Sequence, residues 1–208
     1  MSAKFVSRLI GSSIMSLVSG VLLSSLWGFF AYRHLKAFNA TSDFSLLLFV
    51  VVETLAAGFF LFRSNPKSVS VSAFDWMVAL AGTFAPMFFS PTGSGVMPVA
   101  SNIILIGLVI QIFSLVSLNR SFAIVAAIRS IKTDKMYQLV RHPIYFSYCI
   151  TFTAYILAHT SYRNFLVYTV AMILMLLRIF REERHLSAEL SYREYMTRVR
   201  YRLIPYIF

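Results

Sequence analysis

The residues best suited to chemistry are a cation, an imidazole and a phenol grouped around one proline. Arg141, His142, Pro143 and Tyr145 stand where a basic loop gives way to an apolar run. Proline is well tolerated in the first turn of a helix, and the free backbone N–H groups of such a turn attract anions. The stretch predicts a helix start that could bind a carboxylate or phosphate. An ordinary lipid-facing arginine before a helix-starting proline would have the same sequence.

A second polar cluster lies at the end of the last apolar run and contains Arg178, Glu182 and Glu183. On a straight helix Glu182 shares the face of Arg178, while Glu183 is turned well away. Paired acids here could bind ligand hydroxyls or a cation, although salt bridges within a solvated helix end would give the same spacing. His185 has no second histidine at metal-ligand spacing, so we expect no metal site. We expect the two clusters to face each other and form one site.

The composition predicts a membrane protein that positions these clusters. Hydrophobic residues make up 58% of the 208 residues, and charged residues only 13%. A soluble domain of this size cannot bury so much apolar surface. The net charge of +11 could suit nucleic-acid binding, but the basic residues flank apolar runs, which the positive-inside effect explains better. We therefore expect no nucleic-acid partner. The single cysteine, Cys149, excludes an internal disulfide and a Cys-rich metal site.

Six apolar stretches predict an all-α, polytopic transmembrane bundle of about six spans. Lys and Arg concentrate in the segments that are cytoplasmic if the N-terminus is inside, Lys4 and Arg8 among them, so we expect both termini in the cytoplasm. The last two stretches are short and closely spaced, which predicts a helical hairpin, followed by an amphipathic tail. The stretches are approximately 9–32, 44–62, 74–91, 96–118, 144–158 and 165–180.

Three further features lie outside the clusters. Glu53 lies inside the second stretch, where an ionisable group is a functional hypothesis by default. A protonated carboxyl, or one hydrogen-bonded to a neighbouring helix, is the favoured alternative. Residues 119–140 predict a short interfacial element that directs Arg129 and Lys132 to lipid headgroups. Small residues at every fourth position of the first stretch predict close helix packing, within a monomer rather than across a homodimer. They are Ser12, Ser16, Gly20, Ser24 and Gly28.

The two polar clusters, together with residues of the connecting segment and the tail, resemble the isoprenylcysteine carboxyl methyltransferase superfamily, which includes phospholipid N-methyltransferase-like proteins. The resemblance covers roughly residue 115 to the C-terminus. The family often has Gly-Pro-Tyr-Arg before the first motif, where this chain has Lys-Met-Tyr-Gln at 135–138. The matching residues are Arg-Ser-Phe at 120–122, Tyr137, Arg-His-Pro-Ile-Tyr at 141–145, Arg178, Glu182-Glu183, Tyr192, Tyr195 and Tyr-Arg-Leu-Ile-Pro at 201–205.

The resemblance implies a multi-pass integral membrane enzyme that uses S-adenosylmethionine as methyl donor, with its site facing the cytoplasm. It places Arg178 near the reacting group of a lipidic or small amphiphilic acceptor, with a carboxylate favoured, and assigns catalytic roles to Arg178 and Glu183. Because these two side chains cannot meet one ligand on a straight helix, either the helix distorts or their roles are divided. The cofactor-binding residues that it predicts are Tyr137, Arg141, His142, Pro143, Tyr145, Glu182, Glu183, Tyr195 and Arg202.

The expected organisation is a scaffold of transmembrane helices over residues 1–95 and a methyltransferase core over residues 96–208. We expect a monomer whose partners are membrane lipids and a lipid or amphiphilic substrate. The alternative is a non-catalytic transport or assembly protein that keeps the fold. Transporters usually carry broken helices in matched halves, and no such internal repeat is visible here.

Overall fold

A computed structural model describes residues 12–42, 44–92 and 95–208 of the chain. The start of the first predicted span, with Lys4 and Arg8, lies outside the described residues. The rest is predominantly helical, which confirms the all-α fold class. The helices are α1 (Ser13–Thr41), α2 (Ser45–Leu61), α3 (Ala73–Phe84), α4 (Ser101–Leu118), α5 (Pro143–Ala158), α6 (Tyr162–Leu186) and α7 (Leu190–Arg198).

Each predicted apolar stretch corresponds to a helix, but the helices differ in length. Within the described residues, three are long and apolar enough to cross a membrane: Ser13–Ala40, Pro98–Ser121 and Tyr162–Leu186. Three others are apolar but shorter: Leu46–Leu61, Ala73–Phe88 and Pro143–Ala158. The number of spans and the side on which the termini lie stay predictions. The expected hairpin is present, because α6 begins four residues after α5 ends.

The small residues of α1 pack against α2 of the same chain. A Cβ atom at Gly20 would lie 2.8 Å from the carbonyl oxygen of Phe60, so the two backbones approach closely. Arg63, just beyond α2, donates to the carbonyl oxygen of Ser16 over 2.9 Å. The prediction of helix packing within the monomer is therefore confirmed at Ser16 and Gly20.

The helices α4 and α5 meet at Gly107. A Cβ atom there would lie 2.3 Å from Thr151 Oγ1 and 3.2 Å from the carbonyl oxygen of Ser147. We expect Gly107→Ala to lower the free energy of unfolding by about 1–3 kcal/mol, because an added methyl group must push the helices apart. Gly58→Ala is the matched control, since a Cβ atom at Gly58 would meet nothing within 4 Å. It should be neutral or stabilising by up to about 1 kcal/mol. Thermal unfolding in detergent measures both, and equal melting temperatures would contradict the expectation.

Several contacts join the first 95 residues to the rest of the chain. A two-stranded antiparallel sheet pairs β1 (Ser68–Val69) with β2 (Ala127–Ile128). Asp75 on α3 accepts a hydrogen bond from Arg181 on α6. The division at residue 95 stays a prediction, and these contacts cross it. The strand pairing holds the long connection between α4 and α5 against the segment between α2 and α3, and the Asp75–Arg181 contact joins α3 to α6.

Candidate active site

The helix α5 begins where the sequence predicts, with Pro143 in its first turn. The backbone N–H groups just before it are already used by the C-terminal tail: that of Arg141 donates to the Tyr201 carbonyl oxygen, and that of His142 to the Arg202 carbonyl oxygen, each over 2.9 Å. The C-terminal tail therefore folds back and pairs with the backbone of the connecting segment. Binding of an anion by this helix start stays a prediction.

The first group of polar side chains surrounds Glu183 on α6, and we call it the Glu183 cluster (Arg141, His142, Glu183 and Arg202). Glu183 Oε1 accepts from Arg141 Nε over 2.7 Å and lies 3.2 Å from His142 Nε2. Glu183 Oε2 accepts from Arg202 Nε over 2.9 Å. Glu183, Arg141 and His142 are each 7% exposed. One buried carboxylate thus ties α6 to the start of α5 and to the tail.

The second group, the Arg178 cluster (Tyr145, Arg178 and Glu182), lies on a different face of α6. Tyr145 Oη donates to Glu182 Oε1, and Arg178 Nη2 lies 3.8 Å from the same oxygen. The Arg178 guanidinium also stands over the Tyr145 ring, 5.3 Å from its centre. This confirms that Glu182 shares the face of Arg178 and that Glu183 does not. The helix does not distort to bring Glu183 and Arg178 together.

Two elements outside α6 fix the Arg178 guanidinium. Arg178 Nη1 donates to Thr83 Oγ1 on α3 over 3.1 Å, and Nη2 donates to the carbonyl oxygen of Ile124 over 2.9 Å. The Nε atom is buried and has no hydrogen-bond partner among the described residues. The side chain is therefore held in one orientation and keeps one donor free.

A cavity of about 710 Å³ lies beside both clusters. Its size suits a cofactor-sized ligand with part of a second one. Three of the predicted site residues, Pro143, Glu183 and Arg202, do not line it. The predicted site residues that do line it are Tyr137, Arg141, His142, Tyr145, Arg178, Glu182 and Tyr195. The structure thus brings most of the predicted residues around one cavity, and the role of each stays a prediction.

Two phenols at the inner wall of the cavity are neutral donors. Tyr195 Oη donates to the carbonyl oxygen of Tyr137 over 2.6 Å. Burial raises the pKa of Tyr137 and of Tyr195 above the usual tyrosine value. The neighbouring Tyr192 also lines the cavity, and its Oη is buried without a hydrogen-bond partner among the described residues. Tyr192 can therefore offer its O–H group to a ligand, whereas the O–H group of Tyr195 is already used, and these neutral phenols cannot act as bases near neutral pH.

The opposite part of the cavity is polar as well, which the sequence alone did not indicate. Glu53 Oε2 lies 2.8 Å from His34 Nδ1, and both residues line the cavity together with Arg33 and Gln111. The favoured alternative for Glu53, a carboxyl hydrogen-bonded to a neighbouring helix, is confirmed. No spacing rule could have found the partner, because the two residues lie on different helices. Within the described ranges, no group of three or more His, Cys, Asp or Glu residues could hold a metal ion.

The position of Arg129 contradicts one expectation from the sequence. Its side chain was predicted to face lipid headgroups, but the residue is 6% exposed and lines the cavity. The reason is that β2 pairs with β1, and the residues around it turn inward and are buried: Ile124, Val125, Ala126 and Ile128. Lys132, predicted to point the same way, is partly exposed and also lines the cavity.

Residues 95–193 match the phospholipid methyltransferase family. The match covers just under half of the chain and confirms the resemblance to this membrane methyltransferase superfamily. The phospholipid methyltransferase segment contains Arg141, His142, Tyr145 and the polar end of α6, whereas Tyr195 and Arg202 lie beyond it. A comparison with curated proteins found no match.

Proposed function

We propose that this protein is an integral membrane methyltransferase that uses S-adenosylmethionine and methylates a lipidic or small amphiphilic acceptor. The observation that carries the proposal is one cavity, beside apolar helices, where the segment matched to phospholipid methyltransferases places Arg178, Glu182 and Tyr145 together. We propose further that the cavity faces the cytoplasm, because basic residues of the connecting segment, Arg129, Lys132 and Arg141, line it. We also propose that the protein acts as a monomer among membrane lipids.

The residues around the cavity fit the chemistry of the methyl donor. The Glu182 carboxylate can accept hydrogen bonds from ribose hydroxyls. The rings of Tyr145 and Tyr148 can pack against an adenine ring or a cation. The Tyr192 Oη atom, a buried donor without a protein partner in the described part, favours an oxygen-rich ligand. When bound, S-adenosylmethionine supplies a methyl group on a sulfonium cation.

The chain's own residues bind and orient the ligands and exclude water from the site. Methyl transfer requires in-line approach in a dry site more than it requires a strong acid or base. Arg178 is a largely enclosed cation, 11% exposed at its side chain, whose direction Thr83 and Ile124 fix, so it can hold an anionic acceptor group in one position. This favours a carboxylate as the methyl acceptor. Glu182 and Tyr145 share a hydrogen bond that shapes the wall next to Arg178.

The Glu183 cluster has a different part in the proposal. Its carboxylate contacts three basic side chains and does not line the cavity, so it positions Arg141 and His142, which do. The catalytic role that the resemblance implies for Glu183 stays a prediction. In the same way, Pro143 acts by fixing the start of α5, and Arg202 acts by holding the tail in place.

Calorimetric titration of purified protein in detergent with S-adenosylmethionine tests the proposal. We expect the intact protein to bind the compound and Glu182→Gln to bind it about 10-fold more weakly, since hydrogen bonds to a charged group contribute about 1.5–3 kcal/mol. Glu194→Gln is the matched control, because Glu194 is exposed on α7 and does not line the cavity. Absence of binding by the intact protein would overturn the proposal.

A further inference from the structure

Arg129 is a cation that is enclosed by the protein and pairs with no anion among the described residues. It follows β2 directly, is 6% exposed and lines the cavity. Its Nε and Nη1 atoms are buried and have no hydrogen-bond partner among the described residues. Buried polar groups in folded proteins are almost always paired, and a buried unpaired charge costs several kcal/mol. Such a residue needs a partner that the described part of the chain does not provide.

The described carboxylates do not fill this role. Those of Glu53, Asp75, Glu182, Glu183 and Glu189 form ion pairs with other residues, and no described carboxylate forms one with Arg129. The charged neighbour that affects Arg129 is another cation, Arg63. Burial and the Arg63 charge lower the pKa of Arg129 to about 10, so its guanidinium is still positive at neutral pH.

The surroundings of Arg129 strengthen the positive character of this part of the cavity. Lys132 lines the cavity three residues later. Arg141 lines it too, but its charge is balanced by Glu183. The loop that carries Arg129 is held by Ser121, whose Oγ donates to the carbonyl oxygen of Ser130 over 2.7 Å. A cation without a counter-charge is thus held on a fixed loop.

We propose that Arg129 is an anion-binding residue of this cavity, and that its guanidinium pairs with a carboxylate or phosphate group of a bound ligand. Within the proposed function, on which this inference rests, two ligands could supply the group. One is the amino-acid carboxylate of the methyl donor, and the other is an anionic group of the amphiphilic acceptor. Arg129 would then select for ligands that carry such a group.

Two arms of one experiment separate these sources. In the first, calorimetry compares S-adenosylhomocysteine with 5′-methylthioadenosine, which lacks the carboxylate, on the intact protein and on Arg129→Gln. In the second, the rise in melting temperature caused by dodecyl phosphate is compared with that caused by dodecanol. Arg193→Gln is the matched control, because Arg193 is exposed on α7 and does not line the cavity.

We expect Arg129→Gln to weaken the binding of one charged probe at least about 10-fold, because a charge-assisted contact is lost. Binding of the counterpart that lacks the anionic group should be unchanged. Weaker binding of S-adenosylhomocysteine would show that Arg129 pairs with the carboxylate of the methyl donor. Loss of the rise in melting temperature with dodecyl phosphate would show that it pairs with the anionic group of the acceptor. Arg129→Lys, which keeps the charge, should retain most of the binding. The ligand-free glutamine variant should melt no lower than the intact protein, since an unpaired buried charge has been removed.

Unchanged binding of both charged probes to Arg129→Gln overturns the inference. A lower melting temperature of the ligand-free variant together with unchanged binding would assign Arg129 a structural role, and overturns it as well. If the intact protein does not bind S-adenosylhomocysteine, the proposed function fails in the first arm. The second arm still decides whether Arg129 binds an anion.

Discussion

Glu183→Gln is expected to lower the free energy of unfolding by about 3–5 kcal/mol, because the variant leaves buried cations without their counter-charge. Arg141 depends most on Glu183, since its side chain is 6% exposed and its Nε lies 2.7 Å from Oε1. Arg202 should contribute less, because its side chain is 32% exposed and water can solvate it. Reversible denaturation in mixed micelles measures the free energy, and the change should appear as loss of the contact between tail and α5.

Glu194→Gln provides the comparison, because it is the same substitution at an exposed position of α7. It should shift the stability by less than about 0.5 kcal/mol. If Glu183→Gln keeps the stability of the intact protein and loses turnover at saturating S-adenosylmethionine, the positioning role proposed here is contradicted. That result would instead support the catalytic role that the family resemblance implies.

Arg178→Ala should reduce the rate of methyl transfer by at least about 100-fold, because a preorganised cation and its positioning effect are lost together. Arg178→Lys should recover only part of the rate. A single ammonium group cannot reproduce the separate contacts of Nη1 with Thr83 and of Nη2 with Ile124. Transfer of a labelled methyl group to lipid extracts, followed over time, measures the rate once an acceptor is found.

Arg184→Ala is the control for general effects of removing a cation from α6, since Arg184 is exposed on the same helix. It should transfer methyl groups at close to the rate of the intact protein. The affinity for S-adenosylmethionine should change little in Arg178→Ala, because the proposal assigns Arg178 to the acceptor. Full activity of Arg178→Ala, or loss of donor binding with an unchanged rate at saturation, would contradict that assignment.

The sequence could predict those features that depend on neighbouring residues. Pro143 marks the start of α5 because proline favours the first helical turn. The shared face of Arg178 and Glu182 follows from the helical repeat alone, as does the separation of Glu183 from them. These are local consequences of backbone geometry, so they hold whatever the helix packs against.

Features that depend on distant partners could not be predicted in the same way. Arg129 turns inward because β2 pairs with β1, and a basic residue in a loop otherwise gives the pattern of a headgroup contact. The pairing of His34 with Glu53 requires knowledge of how α1 packs against α2. Neither α1 nor α2 has a distinct hydrophobic face, so their sequences do not specify which side meets which neighbour.

The contacts of Arg178 bear on how much of the chain can be exchanged between relatives. The segment that matches phospholipid methyltransferases supplies the arginines, whereas the acceptors Thr83 and Asp75 that orient Arg178 and Arg181 lie on α3, before the match begins. A chimera that transplants residues 95–193 alone would carry Arg178 with part of its support missing. The transferable unit therefore includes α3, and the helix that precedes the recognisable segment helps to determine where its key cation points.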